Sequence, residues 1–103
     1  MLIREYIRED GSAPFQQWFD SLDHQAAAKV SVALARMETG HTSNIKWFSG
    51  LGEYRIDWGP GYRIYFLQDG DNLIVLLGGG IKKRQQKDIA KAKTLLKEYK
   101  SRS

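Results

Sequence analysis

Glu53-Tyr54-Arg55-Ile56-Asp57-Trp58-Gly59-Pro60-Gly61-Tyr62-Arg63-Ile64-Tyr65-Phe66 is the stretch whose reading decides the fold. Two alternating runs flank a Gly-Pro-Gly turn, the short-range pattern of a β-hairpin. Gly and Pro supply the backbone angles that a tight reversal needs. Parity then sets the faces. With a three-residue loop, Trp58 faces Tyr62, Ile56 pairs with Ile64 and Tyr54 with Phe66, so these side chains share one face and enter a core. The other face carries Glu53, Arg55, Asp57, Arg63 and Tyr65, with Asp57 opposite Arg63 and Arg55 opposite Tyr65. A loop with an even number of residues would mix the two sets, so an odd loop is expected. One face serves folding and the other is chemically loaded.

On the N-terminal side of the hairpin, Ile45 to Phe48 reads as a strand that turns at Ser49-Gly50. On the C-terminal side, Asp69-Gly70 centres a second hairpin turn. Asn72 to Leu77 is a nearly continuous apolar run, as expected of a strand covered on both faces, and Gly78-Gly79-Gly80 is expected to end it. A helix is expected from near Gln85, with Ile89, Ala92, Leu95, Leu96 and Tyr99 as its apolar stripe. In the N-terminal half, Leu2 to Arg8 reads as a short strand near an edge. Ser12 is placed to cap a helix with Pro14 in its first turn, and Phe15, Trp18, Phe19 and Leu22 give that helix a buried stripe. Asp23 caps a second helix that runs to about Thr39 and stops at Gly40, with Ala27, Val30, Leu34 and Met37 as its seam. The order is β-α-α-β-β-β-β-α: an α+β domain with an antiparallel sheet, flanked by an N-terminal helical hairpin and a C-terminal helix.

The 103 residues, 42% of them hydrophobic, suit a single domain over positions 1–103 with a real core. There are no cysteines, and His24 and His41 are far apart in the chain, so neither disulfides nor a metal centre is expected. No apolar run approaches the ~20 residues of a membrane span. The N-terminus lacks the layout of a signal peptide, so a cytoplasmic location is the expectation. The net charge of +4 gains meaning from clustering: Lys82, Lys83, Arg84, Lys87, Lys91, Lys93, Lys97, Lys100 and Arg102 crowd the C-terminal segment. Such a segment suits a polyanion or an acidic protein.

Three blocks together resemble the RelE/ParE superfamily of bacterial toxins, and more closely its phage-derived "addiction module killer protein", or HigB-like, branch. They are Phe15-Gln16-Gln17-Trp18-Phe19, the hairpin, and Leu76-Leu77-Gly78-Gly79-Gly80-Ile81-Lys82-Lys83-Arg84-Gln85-Gln86-Lys87-Asp88-Ile89. The resemblance implies the toxin of a type II toxin–antitoxin system. It also implies a cognate antitoxin, a helix-turn-helix protein encoded nearby, as partner. RelE-like members cut mRNA in the ribosomal A site without metal or cofactor, whereas ParE-like members poison DNA gyrase. A degenerate toxin that only binds its antitoxin is the remaining alternative. In RelE-like cleavage the ribose 2′-hydroxyl attacks the adjacent phosphate, which calls for cations around the phosphorane and the leaving oxygen.

Carried over by position, the resemblance makes Arg63 the phosphate-stabilising arginine. Arg55 stands where RelE-like enzymes carry a lysine, and Lys83 falls near a further functional arginine. Asp57 reverses the charge of a second such lysine and is expected to orient Arg63. Ile89 stands where those enzymes place a tyrosine, and the C-terminal histidine of some HigB members is absent. Lys46, Lys82, Tyr65 and Gln86 complete the set as RNA-binding residues. The plainer alternative is that Arg55 and Arg63 are exposed strand residues paired with Glu53 and Asp57 across the hairpin.

Overall fold

The computed structural model describes residues 1–102, and the elements follow the expected order. They are β1 (Leu2–Glu5), α1 (Pro14–Asp20), α2 (His24–Glu38), β2 (Ile45–Phe48), β3 (Leu51–Ile56), β4 (Tyr62–Asp69), β5 (Leu73–Ile81) and α3 (Gln85–Arg102), with a 3-10 turn over Lys82–Arg84 before α3. The sheet order is β1-β5-β4-β3-β2. It is antiparallel from β5 to β2, and β1 adds to its edge parallel to β5. No helix among the described residues is long and apolar enough to cross a membrane.

The hairpin has the expected parity in a register moved by one pleat. Ile56 pairs with Tyr62, Tyr54 with Ile64 and Gly52 with Phe66. The loop is therefore Asp57 to Gly61, longer than three residues but still odd. Trp58 N–H closes back on the Ile56 carbonyl at 2.9 Å, and Gly59 and Gly61 take φ of 59° and 77°, angles that favour glycine. Parity keeps Tyr54, Ile56, Trp58, Tyr62, Ile64 and Phe66 in one cluster, beneath α1 and α2. The pairings change, however. Arg55 now lies opposite Arg63 and Glu53 opposite Tyr65, so Asp57 does not face Arg63 across the ladder.

The second face of the sheet is a core too. Leu51, Tyr65, Leu67, Val75 and Leu77 pack beneath Ala92, Leu95 and Leu96 of α3. The far end of α3 is held by polar contacts to the N-terminal segment. Glu98 accepts from Tyr6 Oη at 2.7 Å and pairs with Arg8 at 3.0 Å, while Arg102 donates to Tyr6 Oη and to the Ile7 carbonyl. Part of the C-terminal charge cluster is thus structural.

The helix caps divide. Asp23 caps α2, accepting from Ala26 N–H at 2.8 Å, and Gly40 ends that helix at φ 86°. Ser12 does not cap α1: its N–H and hydroxyl both go to Asp10 Oδ1, and Ala13 takes the cap position without a side-chain bond.

β5 does not stop at the glycines but runs through them to Ile81. A Cβ on Gly79 would lie 2.3 Å from the Trp18 ring of α1. On the opposite face, a Cβ on Gly80 would meet the Asp88 carboxylate of α3. Gly79 and Gly80 are places where two helices reach the backbone, and the strand continues because the β4 ladder still pairs it.

Gly79→Ala is therefore expected to destabilise the fold by about 1–3 kcal/mol through overpacking. Gly78→Ala, whose Cβ would meet nothing within 4 Å, is expected to be neutral or slightly stabilising. Thermal denaturation of the two variants separates packing from strand propensity.

Candidate functional site

At the turn end of the hairpin, a groove of about 460 Å³ is lined by Asn44, Lys46, Arg55, Asp57, Arg63 and Lys82, among others. Each side chain arrives on a different piece of the fold. Lys46 lies on β2, and Arg55 and Arg63 face each other on β3 and β4. Asp57 stands in the loop, and Lys82 follows β5. Two backbone bonds fix the rim: Arg55 N–H to the Asn44 carbonyl at 3.0 Å, and Lys82 N–H to the Gly61 carbonyl at 2.8 Å. The structure thus gathers Arg63, Arg55, Asp57, Lys46 and Lys82, residues that the sequence spreads over three strands and two connections.

Like charges directly opposite in a ladder are destabilising, so the Arg55–Arg63 pair needs a counter-charge. Asp57 does not provide it: among the described residues no ion pair joins it to either arginine. Glu53 does. Its side chain is fully buried, accepts from Arg55 Nε at 3.2 Å and from Gln85 Nε2 at 2.9 Å. One carboxylate therefore steadies Arg55 and ties the first turn of α3 to β3. A buried charge held by two charge-assisted or amide bonds is tolerable where an isolated one is not.

Arg63 is 7% exposed, and its buried Nε has no hydrogen-bond partner. Tyr65, expected to meet RNA, is 1% exposed beneath α3, so it cannot stack on a base. Burial, followed by the charge of Glu53, pushes its hydroxyl well above the ordinary 10.0. Asp88 sits over Gly80 with a buried, unpartnered Oδ2. Burial raises its carboxyl above the ordinary 3.8, against the pull of Arg84, Lys91 and Lys87. Lys83 and Gln86 are exposed, on the 3-10 turn and the first turn of α3, and neither lines the groove. No group of three or more His, Asp or Glu side chains among the described residues is placed to hold a metal ion.

The sequence reading missed Gln85 and Asp88 as parts of this region, and it named Glu53 as an exposed partner across the hairpin rather than as a buried counter-charge on the same strand. Glu53 carried a signal: an acidic residue two positions before Arg55 on the same strand face. Gln85 and Asp88 carried none, because only the docking of α3 brings them to the sheet.

The family profile described as "Phage derived protein Gp49-like (DUF891)" matches residues 17–100. An uncharacterized protein of Haemophilus influenzae is 40% identical over 86 residues, spanning 82% of this chain and 87% of that relative.

Asp88 gives a pH test. Its folded-state carboxyl holds the proton more tightly than the unfolded one, so its stabilising contribution is complete below 3.8 and lost as pH rises through the raised value. Asp88→Asn is expected to raise the melting temperature at pH 7. The advantage over the parent chain should shrink as the pH falls towards 3.8. Parallel melts across that range check it.

Proposed function

The chain belongs to the Gp49-like phage-derived protein family, and from that premise we propose that it is the toxin of a type II toxin–antitoxin pair. Its activity is metal-independent, ribosome-dependent cleavage of mRNA in the A site. The observation that carries this reading is the opposed Arg55–Arg63 pair, set in a groove with Lys46 and Lys82. A sheet has no structural use for two arginines directly opposite one another, since the arrangement costs stability. A phosphate between them converts that cost into binding.

In the reaction the mRNA 2′-hydroxyl gives up its proton and its oxygen attacks the neighbouring phosphorus. The bond from phosphorus to the 5′ oxygen breaks, leaving a 2′,3′-cyclic phosphate and a 5′-hydroxyl. Arg63, nearly buried, stabilises the charge that builds on the phosphorane. Arg55, held by Glu53, assists from the opposite strand. Lys46 and Lys82 hold the RNA backbone on either side, and Lys83 and Gln86 extend that contact outside the groove. Asp57, without an ion pair, serves at the groove's rim. The partner that silences the protein is a helix-turn-helix antitoxin encoded nearby, and the site of action is cytoplasmic.

Incubation of the pure protein with translating ribosomes, followed by mapping of mRNA 5′ ends, is expected to show cleavage within codons. Arg63→Ala should lower the single-turnover rate about 10²–10³-fold, the loss seen when one preorganised charge-stabilising group is removed. Intact message at high protein concentration would overturn the reading. Inhibited supercoiling with trapped DNA breaks would replace it with gyrase poisoning, and harmless overexpression with a degenerate toxin.

A further inference from the structure

On the side of β5 that faces β1, the sheet leaves an inner segment unpaired. β1 covers β5 only from Leu73 to Leu76, and Tyr6 N–H to the Leu76 carbonyl, at 2.9 Å, is the last bond on that side. From Leu77 to Ile81 the outer edge of β5 has no strand beside it. Strand alternation identifies the free groups. The Leu76 carbonyl points towards β1, and the irregularity at Tyr65/Phe66 advances the alternation by one residue. Lys82 N–H reaches Gly61 across the hairpin, so Gly78 and Gly80 face β4. Gly79 therefore turns its N–H and C=O outward, and Ile81 its N–H, while the Ile81 carbonyl caps the 3-10 turn over Lys82–Arg84.

This edge forms the floor of a cavity of about 540 Å³ between α1 and α3, the largest of the grooves described. Trp18 of α1 and Leu22 of the connection after it line one side. Arg84, Lys91 and Leu95 line it from the α3 side. Unpaired strand edges are templates for another strand, and folds ordinarily blunt them with charge, proline or a cover. Here the edge is glycine, open and walled by helices.

We infer that the Leu77–Ile81 edge of β5 is a docking groove for an extended peptide strand that alternates apolar and acidic residues. An added strand would take main-chain bonds from Gly79 and Ile81, and its side chains would point alternately to the two walls. Those turned to one wall meet Trp18 of α1 and Leu22 just beyond it, which select apolar side chains. Those turned to α3 meet Arg84 and Lys91, which select carboxylates. The one acid among the lining residues, Asp88, is tucked over Gly80 with Arg84 and Lys91 acting on its charge. A second copy of the chain fits less well, since it brings the same +4 charge. RNA fits less well too, because it offers no alternation of N–H and C=O to match the edge. The groove is separate from the Arg55–Arg63 site, so the inference stands whether or not the protein cuts RNA.

The test uses the full ¹⁵N-labelled chain and two capped hexapeptides, one of alternating valine and glutamate and one of alternating valine and lysine. The valine–glutamate peptide is expected to shift the Gly79 and Ile81 amides and to slow their exchange with solvent. Arg84 and Lys91 are exposed, so the double variant Arg84→Glu, Lys91→Glu is expected to keep its fold. It should bind the valine–glutamate peptide about tenfold more weakly and the valine–lysine peptide more tightly, as charge complementarity requires. Absence of any shift, equal response to both peptides, or shifts centred on Arg55 and Arg63 would overturn the inference. So would protection of Gly79 and Ile81 on concentrating the chain alone, which would assign the edge to a second copy. Protection by a short single-stranded RNA with the peptides inert would assign it to nucleic acid.

Discussion

Two helices press on adjacent glycines of β5, Gly79 and Gly80, from opposite faces, and much of the molecule follows from that pinch. Trp18 lies against Gly79 and fixes α1, while Asp88 lies against Gly80 and fixes the start of α3. With those approaches set, the two cores close, one beneath the helical hairpin and one beneath α3. Any side chain at Gly79 or Gly80 would push a helix away, because packed interiors have no spare volume to absorb it. The pinch also brings Gln85 onto Glu53, so helix placement and the electrostatics of the cationic groove are one event.

The groove itself is an exercise in tolerated conflict. Two arginines meet across a ladder, and the buried Glu53 lies one residue-pair away on the same face. That carboxylate lowers the mutual repulsion without filling the groove, since it is spent on Arg55 and Gln85 from below. The exposed side then keeps net positive charge where a phosphate would arrive. Sequences depart from local consistency mainly at places with a task, and this is the clearest such departure in the chain.

Most of the fold was legible in the sequence. The hairpin faces followed from alternation alone, α2 from Asp23 and Gly40, and α3 from its apolar stripe. The hairpin register was not legible, because Trp58 folds back on Ile56 and lengthens the loop by a local bond that composition does not announce. The glycine run read as a strand end because its partners, Trp18 and Asp88, are distant in sequence. Tyr65 read as a polar-face residue because nothing local said that α3 would cover it. Of the site, the cations were legible as residue types on one face. The burial of the counter-charge Glu53 was not, since it depends on the docking of α3 and Gln85. The parallel pairing of β1 likewise belongs to tertiary structure alone.

The clasp of Tyr6 and Arg8 on Glu98 has a consequence for how the protein comes into being. Those bonds join groups 92 and 90 positions apart in the chain. β1 pairs only with the distant β5, and the second core needs α3. Contacts of such long separation form late, after their loop-closure cost has been met. The antiparallel strands can therefore pair before the clasp closes, and the Gln85–Glu53 tie of the cationic groove waits for α3 to dock. The clasp is thus a seal on a fold already assembled from its nearer contacts.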